Sequence, residues 1–264
     1  MRLSVDAEPV FVATGGRPFD PGQPAVIFLH GAGLDHTVWA LQTRYFAHHR
    51  RSVLAPDLPG HGRSDGTALP GIGELADWVD RLMDAAGIET AALVGHSMGG
   101  VTALEATARR PARVSALALL GVADRMSVNP ELLAAARARR WLAFDFITDW
   151  GHGRPAHMGG HPAPGLWLMG ADRRLLERGR MAALATDLAA CDAYAGGPKA
   201  AAKVTCPTLF VLGRLDRMTP AARGRALADA VAGAQVVELP GAGHLMMVED
   251  PGATLDALKA FLPA

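Results

Sequence analysis

The chain has 264 residues, half of them hydrophobic, with 26 Lys and Arg against 26 Asp and Glu and an isoelectric point near 7.2. That length suits one large α/β domain or two modest ones, with enough apolar material to bury a substantial core without staples. Zero formal charge removes the global field that would draw nucleic acid or anionic lipid, so neither is an expected partner. Two cysteines, Cys191 and Cys206, make no disulfide framework and favour a reduced, cytoplasmic chain. Met1 to Val12 carries Arg2, Asp6 and Glu8 and lacks the apolar stretch of a signal peptide. No window approaches the ~20 apolar residues of a membrane span.

Short apolar runs recur in chain order at Ala25–Leu29, Ser52–Ala55, Ala91–Val94, Ser115–Leu120, Thr208–Leu212 and Gln235–Leu239, each closed by Gly, Pro or Asp nearby. Runs of this kind suit strands covered on both faces. Helical patterns lie between them. Glu74 to Ala86 sets Leu75, Trp78, Val79, Leu82 and Met83 on one stripe with Gly87 as the stop, and a helix follows from Gly100 to Arg109. The last helix has Asp250 as cap, Pro251 in first position and Leu255, Leu258 and Phe261 on one face. Strands alternating with helices predict an α/β fold with a mostly parallel central sheet flanked by helices.

One stretch breaks the alternation. Between Asp124 and Lys203 no strand pattern occurs. Asn129-Pro130-Glu131 should open a helix running through Phe144, Asp172 to Tyr194 should form one or two helices divided at Gly179, and Gly151 to Gly170 reads as loop. The expected organisation is one core, residues 1–123 and 204–264, with a helical insertion at 124–203. The insertion carries eleven Lys and Arg against eight Asp and Glu, which a solvated helix face accounts for, with an anion-attracting lid as the sharper alternative.

The pentapeptide Gly95-His96-Ser97-Met98-Gly99 stands between a predicted strand and a predicted helix. A strand that turns abruptly into a helix strains the serine backbone, holds the hydroxyl at the sheet edge, and needs flanking glycines to avoid clashes. Ser97 is therefore the expected nucleophile, beside a helix N-terminus that favours developing negative charge. A serine hydroxyl needs a base and a group that orients the base. With ten histidines and 26 acids in the chain, the serine alone does not say which residues these are.

Here the chain resembles the α/β-hydrolase family along nearly its whole length. The resemblance rests on Gly95 to Gly99 together with His30-Gly31-Ala32-Gly33, Asp57-Leu58-Pro59-Gly60-His61-Gly62-Arg63-Ser64, Gly213-Arg214-Leu215-Asp216 and Gly241-Ala242-Gly243-His244, in that order. It implies an α/β-hydrolase fold with a helical cap and the triad order Ser97, Asp216, His244, with His244, in the loop after Gln235–Leu239, as the base and Asp216, after Thr208–Leu212, as its orienter. Some relatives place the acid after the earlier strand, which leaves Asp124 as the rival to Asp216. The implied oxyanion donors are the backbone amides of Met98 and Ala32, with Gly33 as fallback for the second. Among the other histidines, His30 and His61 are expected to shape turns, His96 to point away from the serine, and His48 and His49 to lie on the surface.

His152, His157 and His161 invite a metal reading, but their spacing in a Gly- and Pro-rich loop matches no helix face and the chemistry needs none, so neither metal nor cofactor is expected. Trp141, Phe144, Trp167, Met169, Met181, Met246 and Met247 could line an acyl pocket, although core packing explains them equally. The expected activity is cleavage of a carboxylic ester with a small or medium acyl group through an acyl-enzyme. Enol-lactone hydrolysis and carbon–carbon hydrolysis are the nearest alternatives, and peroxide attack on a serine-bound acid is a further one. A ligand-binding, receptor-like protein on the same fold is the alternative from another class. The expected partner is a small-molecule ester, and the chain is expected to be a monomer or homodimer.

Overall fold

A computed structural model describes residues 1–161, 163 and 165–262. The chain runs β1 (Arg2–Val5), β2 (Glu8–Ala13), β3 (Ala25–Leu29), α1 (Ala40–Ala47), β4 (Ser52–Pro56), α2 (Ile72–Ala85), β5 (Ala91–His96), α3 (Met98–Arg109) and β6 (Val114–Leu120). Helices α4 (Pro130–Arg137), α5 (Leu142–Gly151), α6 (Arg154–His157), α7 (Leu168–Arg178), α8 (Met181–Ala193) and α9 (Gly197–Ala201) follow. The core resumes with β7 (Thr208–Gly213), α10 (Ala221–Ala228), β8 (Gln235–Leu239), α11 (Met246–Glu249) and α12 (Pro251–Phe261).

The eight strands form one sheet in the order β1-β2-β4-β3-β5-β6-β7-β8, antiparallel at β1/β2 and β2/β4 and parallel elsewhere. The apolar runs behave as their composition demands. Along β3 every residue is buried, with Ala25, Ile27 and Leu29 in the layer that α2, α3 and α10 cover and Val26 and Phe28 in the layer of α1 and α12. The same alternation runs through β5, β6 and β7. Two apolar layers thus clamp a sheet whose own side chains carry no charge at its centre, the arrangement that makes parallel strands stable.

The cap signals hold where they are local. Asn129 accepts from the Glu131 and Leu132 amides to start α4, and Asp250 accepts from the Ala253 amide to start α12. Two expectations need correction. The helix expected through Phe144 ends at Arg137, because Arg139 takes a left-handed φ of 53° and the Arg140 amide folds back onto the Ala135 carbonyl, which frees α5 to set out in a new direction. The segment expected as loop contains α6, and α7 begins at Leu168 inside it; the part of that expectation at residues 162 and 164 lies outside the described residues.

The hairpin of β1 and β2 had no sequence signal. Asp6 and Ala7 carry φ of 54° and 65° at its tip, positions where Asn and Gly are the usual markers. Between β6 and β7 all described elements are helices, and they cover the carboxyl ends of the parallel strands, where ligands enter open α/β sheets. Helix α9 packs against α3 and α10. No helix among the described residues is long and apolar enough to cross a membrane.

Phe28 is fully buried at the centre of the sheet and meets the rings of Trp39 and Phe46 at 5.3 and 5.9 Å. Phe28→Ala should cost about 3–5 kcal/mol, read as a fall in the urea unfolding midpoint at unchanged slope.

Candidate active site

Ser97 links β5 to α3 with φ 51° and ψ −117°, a conformation that L-residues rarely hold. The neighbouring glycines make it possible. A Cβ on Gly95 would fall 2.3 Å from the Gly99 carbonyl oxygen, and one on Gly99 would fall 2.4 Å from the Leu29 carbonyl oxygen. The Ser97 amide is tied to the Leu120 carbonyl of β6 at 2.9 Å, and its own carbonyl accepts from the Gly100 and Val101 amides, starting α3. The Met98 amide thus lies in the first turn of α3, immediately after the serine.

Asp216 and His244 meet across the ends of β7 and β8. His244 Nδ1 is 2.8 Å from Asp216 Oδ2, and both residues are buried. Asp216 Oδ1 accepts from the Met218 and Thr219 amides at 2.8 and 2.7 Å, while the Thr219 hydroxyl donates to Oδ2 at 2.7 Å. Since that carboxylate only accepts, Nδ1 carries the hydrogen, and in the neutral ring Nε2 therefore holds the lone pair. Burial by itself would raise the Asp216 pKa, but His244 and the Thr219 donors outweigh it and hold the carboxyl below its ordinary value. The rival acid lies elsewhere: Asp124 is ion-paired with Arg223 at the surface.

Glu249 was not singled out by sequence. Its carboxylate accepts from the amides of Gly243 at 3.0 Å, Leu245 at 3.1 Å and Gly153 at 2.7 Å, and so grips the backbone on both sides of His244. The Gly151 carbonyl takes the His244 amide at 2.9 Å. His96 is a correction. Its ring faces the site instead of turning away: Nε2 donates to the His244 carbonyl at 2.9 Å, the two rings lie 4.7 Å apart, and His96 lines the same cavity as Ser97. Burial, and then His244, lower the His96 pKa well below its ordinary value, so the ring stays neutral and costs no buried charge.

The loop after β3 completes the arrangement. A Cβ on Gly31 would lie 2.8 Å from His96 Nδ1 and 3.3 Å from Ser97 Cβ, so this backbone runs directly against the serine. The Leu58 amide donates to His30 Nε2 at 3.0 Å, which leaves His30 Nδ1–H to donate to the Gly31 carbonyl at 2.9 Å. In a trans peptide the Ala32 N–H points opposite to that carbonyl. Gly33, the fallback donor, is already committed: its amide donates to Asp187 Oδ2 at 2.9 Å.

A cavity of about 110 Å³ contains Ser97, His96, His244 and Ala32 on its core side. Leu132, Ile147, Trp150, Leu188 and Cys191 from the helical segment form the opposite wall, and among the described residues Arg217 is the only Lys, Arg, Asp or Glu in the lining. None of the seven Trp, Phe and Met residues considered as an acyl pocket lines it. Phe144, Met246 and Met247 are core, whereas Trp141 and Trp167 are exposed.

The three candidate metal histidines are bonded separately, His152 to the Thr148 carbonyl, His157 to the Asp149 carbonyl and His161 to the Val248 carbonyl. Asp35, His36 and Asp57 do bring ligand-type atoms together, yet they form a loop network. Asp57 accepts from the His36 ring and amide and from the Arg63 amide, and Asp35 accepts from Thr37 and pairs with Arg178.

His61 Nδ1–H donates to the Pro59 carbonyl at 3.0 Å while Nε2–H donates to Asp187 at 2.7 Å, so the ring is an imidazolium. Burial alone would lower its pKa, but Asp187 outweighs burial and raises it. The folded value therefore lies above the unfolded one near ~6.5, and the pair's contribution to stability is complete below that pH and lost as pH rises through the folded value. The difference in unfolding midpoint between the protein and His61→Gln should accordingly be widest near about pH 6 and shrink on the alkaline side.

The sequence profile described as the alpha/beta hydrolase family matches residues 26–257. A Klebsiella pneumoniae protein, RutD, provisionally named a carbamate hydrolase, is 30% identical over 262 residues, 92% of this chain and 94% of its own. The pimeloyl-[acyl-carrier protein] methyl ester esterase of Chromobacterium violaceum is 32% identical over 259 residues, 84% of this chain and 87% of its own. Among solved structures, the enol-lactonase of Burkholderia xenovorans LB400 superposes with a TM-score of 0.89 at 27% identity, covering both chains completely. With the parallel sheet, the strand-turn-helix serine and the helical cap already in place, the chain belongs to the α/β-hydrolase family and is a hydrolase of the esterase and lipase type.

Proposed function

We propose that the protein hydrolyses a small lactone or ester through a covalent acyl-enzyme, with Ser97 as nucleophile, His244 as base and Asp216 as its orienter. The observation that carries this reading is the Asp216–His244 hydrogen bond at the wall of the cavity that holds Ser97. Its Nε2 lone pair takes the hydroxyl proton as Ser97 Oγ forms a bond to the carbonyl carbon. The carbonyl oxygen becomes an oxyanion received by the Met98 and Ala32 amides. Collapse breaks the bond to the leaving oxygen, which takes the proton from His244. Water then attacks the acyl-enzyme by the same steps, releasing the acid and restoring Ser97. The wall contributed by residues 124–203, read as the cap domain, encloses the substrate and keeps bulk water from it.

Between the two substrate forms, a lactone is the better match. The enol-lactonase is similar over the full length of both chains, and a cavity of about 110 Å³ suits a compact ring whose leaving oxygen stays tethered to the acyl group. An open-chain ester is the second reading, favoured by the likeness to the methyl ester esterase.

Fluorophosphonate should label Ser97 and no other residue, and Ser97→Ala should abolish turnover. Asp216→Asn should lower kcat by about 10⁴, whereas Asp124→Asn should leave it nearly intact. Labelling elsewhere, or the reverse ranking of the two aspartates, would contradict the assignment. The ratio of kcat/KM for an enol-lactone to that for an open-chain aryl ester of the same acid should exceed ten if the lactone is preferred, on the order of one extra well-placed contact.

A further inference from the structure

The loop that offers the Ala32 amide is tied from two sides. On one side the Gly31 carbonyl is held by His30 Nδ1–H at 2.9 Å and by the Leu34 amide at 3.2 Å, both core contacts. On the other, the Gly33 amide donates to Asp187 Oδ2, and Asp187 belongs to α8, 154 residues along the chain. The same oxygen accepts from His61 Nε2–H. Asp187 and His61 are almost wholly buried, 1% and 3% exposed. Gly33 has φ +69°, and a Cβ there would lie 2.8 Å from Leu184 Cδ1 of the same helix, so the loop is pressed against α8. One position beyond Asp187, Leu188 lines the Ser97 cavity.

We propose that Asp187, neutralised by His61, is a positioning residue for the oxyanion: it fixes the peptide plane after Ala32 and so keeps the Ala32 amide aimed at the developing charge. The Ala32 N–H lies in the first of the two peptide planes that meet at Ala32 Cα, and the second anchors the loop on its far side so that the first cannot swing. His30 sets the first from the core and Asp187 the second from the helical cap. A hydrogen-bond acceptor in this dry place needs its charge balanced, and the imidazolium of His61 supplies the balance with its other N–H already spent on Pro59. The cap thereby enters the chemistry through one carboxylate oxygen as well as through the shape of the cavity.

This inference rests on the serine-hydrolase reading above, and the test separates the two. In Asp187→Ala, kcat per fluorophosphonate-titratable Ser97 should fall roughly tenfold to a hundredfold with KM changed by less than about threefold, the signature of a misplaced oxyanion donor rather than of lost substrate contacts. A trifluoromethyl ketone, which forms a tetrahedral adduct with an oxyanion, should lose affinity by the same factor as kcat/KM, whereas the product acid should bind unchanged. Asp187→Asn, which keeps volume and one acceptor oxygen, should recover part of kcat and provides the measurement if the alanine variant does not fold. Counting active sites removes the effect of partial unfolding. Unchanged kcat per active site in the folded variants, or a change confined to KM, would overturn the proposal. Turnover that survives Ser97→Ala would instead overturn the underlying reading.

Discussion

The turn at Ser97 is the constraint on which the site depends. A strand that must become a helix within one residue forces φ 51° on a serine, and that conformation survives only because the sheet and α3 hold both of its ends. Gly95 and Gly99 allow the helix to approach β3 and β5 so closely that no side chain fits between. The reward for this strain is position. The hydroxyl stands at the rim of the sheet, next to the first free amide of a helix, while the packed strands on either side prevent relaxation.

Around that turn, Asp216, Glu249 and His30 would be costly to bury, and each is satisfied by named partners. Asp216 receives two amides and a hydroxyl besides His244, Glu249 receives three amides, and His30 bridges the Leu58 amide and the Gly31 carbonyl. Each bond fixes a tautomer or a peptide plane as well as offsetting desolvation. His30 illustrates the point: burial and then the neighbouring His61 push its pKa down to about 4, so it stays neutral and its donor and acceptor nitrogens are unambiguous. Its partner His61, facing a carboxylate, is pushed the other way. Two histidines whose rings lie 5.1 Å apart thus have different charge states, one neutral and one positive, set by what each nitrogen touches.

The helical segment does more than cover the cavity. Several of its basic side chains are paired: Arg173 and Arg174 with Glu177, and Arg178 with Asp35 of the core. Arg217, the charged side chain that does reach the cavity, comes from the core loop carrying Asp216, and it sits near Asp149 at 3.6 Å. Among the described residues, no arginine of the 124–203 segment lines the Ser97 cavity, as the anion-attracting lid considered from composition would require.

By itself the sequence determined what depends on near neighbours and on period. The strands of the parallel sheet, the caps at Asn129 and Asp250, the break near Gly179 and the serine between its glycines all follow from side chains within a few residues. The motif order also carried the fold, because each motif closes a strand whose place in the sheet is constrained. Tertiary structure decided what depends on contacts across long separations. The hairpin of β1 and β2 gains its partner from β4, and the break at Arg139 lets α5 pack back against α4. Glu249 reads in sequence as one more acid near a helix, and Asp187 as one more charge on a cap helix. Glu249 ties the nearby Gly243 and Leu245 amides to that of Gly153, 96 residues away, and Asp187 holds the Gly33 amide 154 residues away; a backbone amide leaves no trace in the identity of its side chain.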